Sequence, residues 1–117
     1  MKYLVLGYHD ENMWAAMRPD ERQALVDETL AYQDVLRNGG HCLDDWALQG
    51  ASSAATLRFD KAKVSVTDGP FIETKEQLGG LMVLEARDLN DAIRLMSQLP
   101  CMRVGGSLEI RPINEEI

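Results

Sequence analysis

The sequence predicts a ferredoxin-like α+β domain, a mostly antiparallel sheet with two helices on one face. Three observations point there. Residues 2–8 are apolar on both alternating faces, with Tyr3 and Val5 on one and Leu4, Leu6 and Tyr8 on the other, as in a central strand covered on both sides. Two later stretches repeat apolar residues at helical spacing, one opening at Pro19 and one after Asp88. Each lies between strand-like stretches, so the chain falls into two strand–helix–strand halves.

After the first strand, residues 10–17 form a short irregular or helical segment anchored by Trp14 and Met17. Pro19 then pre-sets the first position of a longer helix, with Asp20 and Glu21 in the first turn, where the helix dipole favours acids. Leu25, Thr29, Tyr32 and Leu36 line its core side, a stripe widened by Val26 and Leu30. Gly39-Gly40 ends it. Residues 41–53 carry little pattern beyond a short strand around Ala47-Leu48.

Residues 55–59 and 62–67 alternate well and form a hairpin about Asp60-Lys61, with Leu57 and Phe59 on the same face as Val64 and Val66. A long polar loop follows, bracketed by Gly69-Pro70 and Gly79-Gly80. Gly79-Gly80 is read as a bulge or a close backbone approach where the next strand starts. That strand takes residues 81–86. Asp88 caps the second helix, whose stripe is Leu89, Ala92, Ile93, Met96 and Leu99, and Pro100 stops it. The final strand, residues 107–112, turns Leu108 and Ile110 inward and Glu109 and Arg111 outward. Both helices cover one face, so the apolar free face calls for a second copy: a homodimer with sheets face to face.

The 117 residues make one domain with room for a real core. A net charge of −7 speaks against nucleic acid and anionic membrane surfaces as partners. No apolar run nears the ~20 residues of a membrane span, and the N-terminal run is too short for a signal-peptide core, so a cytoplasmic location is expected. Cys42 and Cys101 are far apart and form no Cys-x-x-Cys pair; both are read as reduced and structural. The two histidines, His9 and His41, give no metal-ligand spacing, so no metal and no cofactor is expected.

The stretch Asp68-Gly69-Pro70-Phe71-Ile72-Glu73-Thr74-Lys75-Glu76-Gln77-Leu78-Gly79-Gly80 closely resembles the signature of DGPF-type proteins of the YCII-related superfamily. The opening strand, Pro19, the run Ala86-Arg87-Asp88-Leu89 and the closing Glu109-Ile110-Arg111-Pro112 resemble it too, so the likeness covers residues 1–117. The resemblance implies a dimeric α+β barrel. It also implies a regulatory link, since some such domains are encoded beside or fused to alternative sigma factors, which makes a sigma factor or another protein a candidate partner. A few YCII-related members are lyases that use a His-Asp pair, with the histidine after an Arg-Pro. Here Arg18-Pro19 is followed by Asp20, Glu21 and Arg22.

The expected function is therefore small-molecule binding in a cavity beside the loop at 68–80, with a small lyase or isomerase as the alternative. Candidate ligand-binding residues are Tyr8, Asp68, Phe71, Glu73, Lys75, Glu76 and Arg111. Candidate acid–base residues are His9, Asp10 and Glu73, a carboxylate or imidazole being what proton transfer near neutral pH requires. Each has a structural reading beside it. Asp68 can hold the turn before Gly69-Pro70, Glu73 can pair with Lys75 or Arg111, and His9 and Asp10, as chain neighbours, rarely face each other. Tyr8, Trp14, Trp46 and Phe71 can line a cavity or simply pack.

Overall fold

In the computed structural model, which describes residues 1–117, the chain runs through six strands and three helices. They are β1 (Lys2–Asp10), α1 (Glu11–Ala16), α2 (Pro19–Asn38), β2 (Cys42–Ala47), β3 (Ala55–Asp60), β4 (Lys63–Asp68), β5 (Glu76–Glu85), α3 (Leu89–Met96) and β6 (Ser107–Pro112). Short 3-10 turns lie at Ala51–Ser53 and Pro100–Val104. The main sheet has the order β2-β5-β1-β6, with β1 and β5 central and all three pairings antiparallel. This is the ferredoxin-like α+β arrangement that the strand–helix–strand halves predict.

The core lies between this sheet and the helices. Tyr3, Val5, Met82 and Leu84 from the two central strands pack with Leu36 of α2 and with Ala92, Leu95 and Met96 of α3. The Tyr32 hydroxyl donates to the Leu95 carbonyl at 2.6 Å, tying α2 to the last turn of α3. Alternation leaves the opposite face to Leu4, Leu6, Leu81 and Val83, all only half-buried.

Local chemistry sets the ends of the elements. Asp10 closes β1 and caps α1, its Oδ1 accepting from the Asn12 and Met13 N–H groups at 2.9 and 3.4 Å. Pro19 opens α2, and Gly40, at φ +78°, lets the His41 N–H reach back to the Leu36 carbonyl at 2.7 Å. Asp88 caps α3 through the Asp91 N–H at 2.8 Å.

Several expectations are corrected. The strand after the polar loop starts at Glu76 rather than residue 81, so Gln77 to Gly80 belong to β5 and the loop is only residues 69–75. The middle segment forms a full strand, β2, which bulges near Leu43 and so hides its alternation. In the stripe of α3, Leu89 and Ile93 are exposed and Leu95 is buried, because Asp91 also turns inward and rotates the packed face. Leu30 of α2 is likewise exposed.

The hairpin β3–β4 has the expected face pairing, Leu57 with Val66 and Phe59 with Val64. Its turn is Lys61-Ala62, one residue later than predicted, with both residues at positive φ, the backbone a two-residue turn needs to match strand twist. The hairpin does not join the main sheet. It extends from the body, and the radius of gyration of 16.1 Å exceeds the ~13 Å of a compact chain of this size. The turn after β4 is held by backbone: the Gly69 N–H donates to Ala54 at 2.7 Å and the Thr56 hydroxyl donates to the Gly69 carbonyl at 2.9 Å. These groups, not the Asp68 carboxylate, stabilise that turn.

Candidate functional site

The main cavity of the protein exists because part of the sheet has no side chains. Across the helix-facing side, the row containing Val5 and Met82 is filled. The next row pairs Ala47 with Gly80 and Gly80 with Gly7, ending at Leu108. Three of its four residues carry at most a methyl group. Helix α2 passes over this row with Leu25, Val26, Thr29, Leu30 and Gln33, and a space of about 830 Å³ remains between. Met13 and Trp14 of α1, with Met17, close one side, and Leu99, Cys101 and Val104 close the other. The volume lies in the range of small-molecule sites, and the lining is mainly apolar with a few polar groups, the usual composition of such sites.

His9 is the imidazole in the cavity wall. A register shift between Gly7 and Tyr8 leaves Gly79 as the extra residue of a β-bulge, and the His9 ring lies against it. A Cβ at Gly79 would sit 2.3 Å from two ring atoms. Only glycine there allows this ring position. Asp10 also borders the cavity, but its Oδ1 faces the backbone of α1, so it does not form a dyad with His9.

Glu21 and Asp45 are the other charged residues of the lining. Glu21 pairs with Arg18 at 2.9 Å, and Asp45 with Arg37 at 3.0 Å. Each arginine is shared with a second acid, Asp20 or Asp34. Cys101 reaches the cavity, and burial pushes its thiol up from the ordinary range, which keeps it protonated and a poor nucleophile at neutral pH. Cys42 lies buried in the core with its pKa raised by burial, then by Asp45. No group of three His, Cys, Asp or Glu side chains is arranged to hold a metal ion.

Of the residues singled out from sequence, the fold brings Tyr8, His9 and Asp10 together at the cavity, with Trp14, Trp46, Gly79 and Gly80. Asp68, Phe71, Glu73, Lys75 and Glu76 lie on the exposed end of β4, the 69–75 loop and the start of β5, outside its lining. Phe71 is held by Arg58, whose guanidinium lies 5.2 Å from the ring centroid. Glu76 accepts from the Ser107 hydroxyl at 3.1 Å, joining β5 to the start of β6. Arg111 pairs with Glu109 on its own strand and not with Glu73. Gly7, Ala47, Leu25, Glu21 and Asp45 are lining residues that the sequence did not mark as part of a site. The one signal for them was Gly7, a glycine inside an otherwise bulky strand, which marks a close approach or an open space.

Comparison with known proteins agrees with this architecture. An uncharacterised protein of Rhizobium meliloti (strain 1021) is 33% identical over 114 residues, 97% of this chain and 92% of that relative. Among solved structures, the 5-chloro-2-hydroxyhydroquinone dehydrochlorinase TftG of Burkholderia phenoliruptrix AC1100, in complex with 2,5-dihydroxybenzoquinone, superposes with a TM-score of 0.52. The superposition covers 97% of this chain and 94% of that one, and at 14% identity it establishes the α+β fold alone. The YCII-related domain matches residues 1–117, and the chain belongs to the YCII-related family.

Proposed function

We propose that this is a cytoplasmic, homodimeric protein that binds a small, mainly apolar molecule in the cavity between α2 and the sheet. The observation that carries the reading is the floor of Ala47, Gly80 and Gly7 beneath an 830 Å³ space. Glycine inside a strand costs stability, so an open floor at that cost is better explained by a ligand than by the fold. The loop at 69–75 supports the site indirectly, by leading into the bulge that positions His9. The regulatory, sigma-factor-linked reading rests on the family resemblance alone.

A second reading is favoured by one feature. His9 presents an imidazole to an apolar cavity, the group most suited to proton transfer near neutral pH. In this reading the protein is a small lyase or isomerase with His9 as the base. Its histidine comes from the end of β1 and has no carboxylate partner from Asp10.

A thermal-shift screen against a metabolite library tests both, because a ligand of the native state alone raises the melting temperature. The expected result is a hit whose shift disappears in Gly7→Val, where the side chain enters the cavity. A hit unaffected by Gly7→Val overturns the site. Conversion of the hit by the wild type but not by His9→Gln, with binding retained, selects the enzyme reading.

The dimer is argued from surfaces. Leu57, Phe59, Val64 and Val66 are exposed on one face of an arm of two strands, and such a hairpin alone is marginal in water. A second copy covering this face and the half-buried Leu4, Leu6, Leu81 and Val83 would supply the missing contacts.

A further inference from the structure

We propose that the cavity selects its ligand by charge, admitting uncharged or cationic ring-bearing molecules and excluding anions; this rests on the cavity being the binding site. Its charged lining consists of Asp10, Glu21 and Asp45, and neither lysine nor arginine lines it. The cations paired with Glu21 and Asp45 do not offset them. Arg18 lies between Asp20 and Glu21, and Arg37 lies between Asp34 and Asp45, so each guanidinium already has two carboxylates. With Asp10, the lining carries three carboxylates and no lysine or arginine of its own. The remaining wall is largely aliphatic and includes the aromatic Trp14.

An anion entering this space loses its hydration and gains no cation. Desolvating an unpaired charge is strongly unfavourable even after relaxation, and the carboxylates add repulsion across a medium less polar than water. An uncharged ring loses nothing comparable and gains apolar burial. A cation additionally gains the field of the carboxylates and the face of the Trp14 indole. The groups in the lining able to donate to a ligand oxygen are neutral or, like His9, can become cationic; they include the His9 imidazole, the Thr29 hydroxyl and the Gln33 amide.

Trp14 lines the cavity, so its occupancy is read from tryptophan emission. The experiment titrates two probes of the same ring system, anilinonaphthalene, which is uncharged, and its sulfonate. Energy transfer from tryptophan is followed in the wild type, in Gly7→Val and in Glu21→Lys. The uncharged probe is expected to bind the wild type tighter by about tenfold or more. Glu21→Lys, on an exposed first turn, should narrow that ratio several-fold by strengthening the sulfonate alone. Both signals should vanish in Gly7→Val; should that variant not fold, the smaller Gly7→Ala must weaken both. Equal affinities that disappear on filling Gly7 leave the site standing and overturn the charge rule. Signals that survive the filling variants, or no signal from either probe, overturn the site and the charge rule with it.

Discussion

The His9 ring lies where a Cβ of residue 79 would be, 2.3 Å from its Cε1 and Nδ1 atoms. The glycine is therefore part of the histidine's position. In Gly79→Ala the ring must swing out of the cavity wall, while a backbone without positive φ at residue 79 accepts alanine. The expected outcome is a folded protein with shifted His9 ring resonances, unmoved His41 resonances, and ligand affinity several-fold weaker. Unchanged His9 resonances would refute the link.

Gly7 sets the depth of the floor. A Cβ there meets only the Gly80 carbonyl oxygen at 3.5 Å and Leu108 Cδ2 at 3.6 Å, both ordinary contacts. Gly7→Ala should raise stability by about 0.5–1 kcal/mol, since glycine inside a strand carries an entropic cost. Chemical denaturation measures this. A loss of more than that amount would show that the floor is tightly packed rather than open.

Gly69 is at φ +103°, where an L side chain is strained, although no atom crowds it. Gly69→Ala should cost about 1–2 kcal/mol, and Asp68→Ala should be close to neutral because the turn is held by Ala54, Thr56 and Gly69. The opposite ranking in urea unfolding would return Asp68 to the role of turn holder.

Asp91 is 4% exposed beneath the solvent-facing heads of Arg87 and Arg94. Its carboxylate accepts from the Arg87 N–H at 3.0 Å and from Arg94 at 2.7 Å, bonds that hold its pKa well below the ordinary carboxylate value. A depressed folded-state pKa contributes stability above the unfolded value, near 4, and that contribution is lost as pH falls through the folded one. Asp91→Asn should therefore lower the melting temperature at pH 7 and flatten its decline below pH ~4. A parallel decline in both proteins would exclude Asp91 as a source of acid sensitivity.

Phe59 is 82% exposed and Val64 51% exposed on the hairpin face. If a second copy covers them, Phe59→Asp and Val64→Asp should convert a dimer to a monomer in light scattering at micromolar concentration and lower the melting temperature together. A wild-type monomer, or dimers that survive both substitutions, would remove the hairpin from the interface.

What the residues determined on their own was local. Period-two and helical patterns, the Pro19 and Asp88 starts, the stop at Gly40 and the Leu57–Val66 pairing all depend on near neighbours, and these match the fold; α3 ends at Met96, before Pro100, which instead opens a 3-10 turn. Even the bulge at Gly79 was legible, because glycine pairs in strands have few other uses. Tertiary structure decided what those elements enclose. Only when β1, β5, β2 and β6 align do Gly7, Gly80 and Ala47, up to 73 positions apart in the chain, form one bare row under α2. The same alignment places His9 at the cavity and leaves the polar loop that dominates the sequence on the outside. Side-chain absence in one row is a property of register, and register is set by long-range pairing that no local pattern encodes.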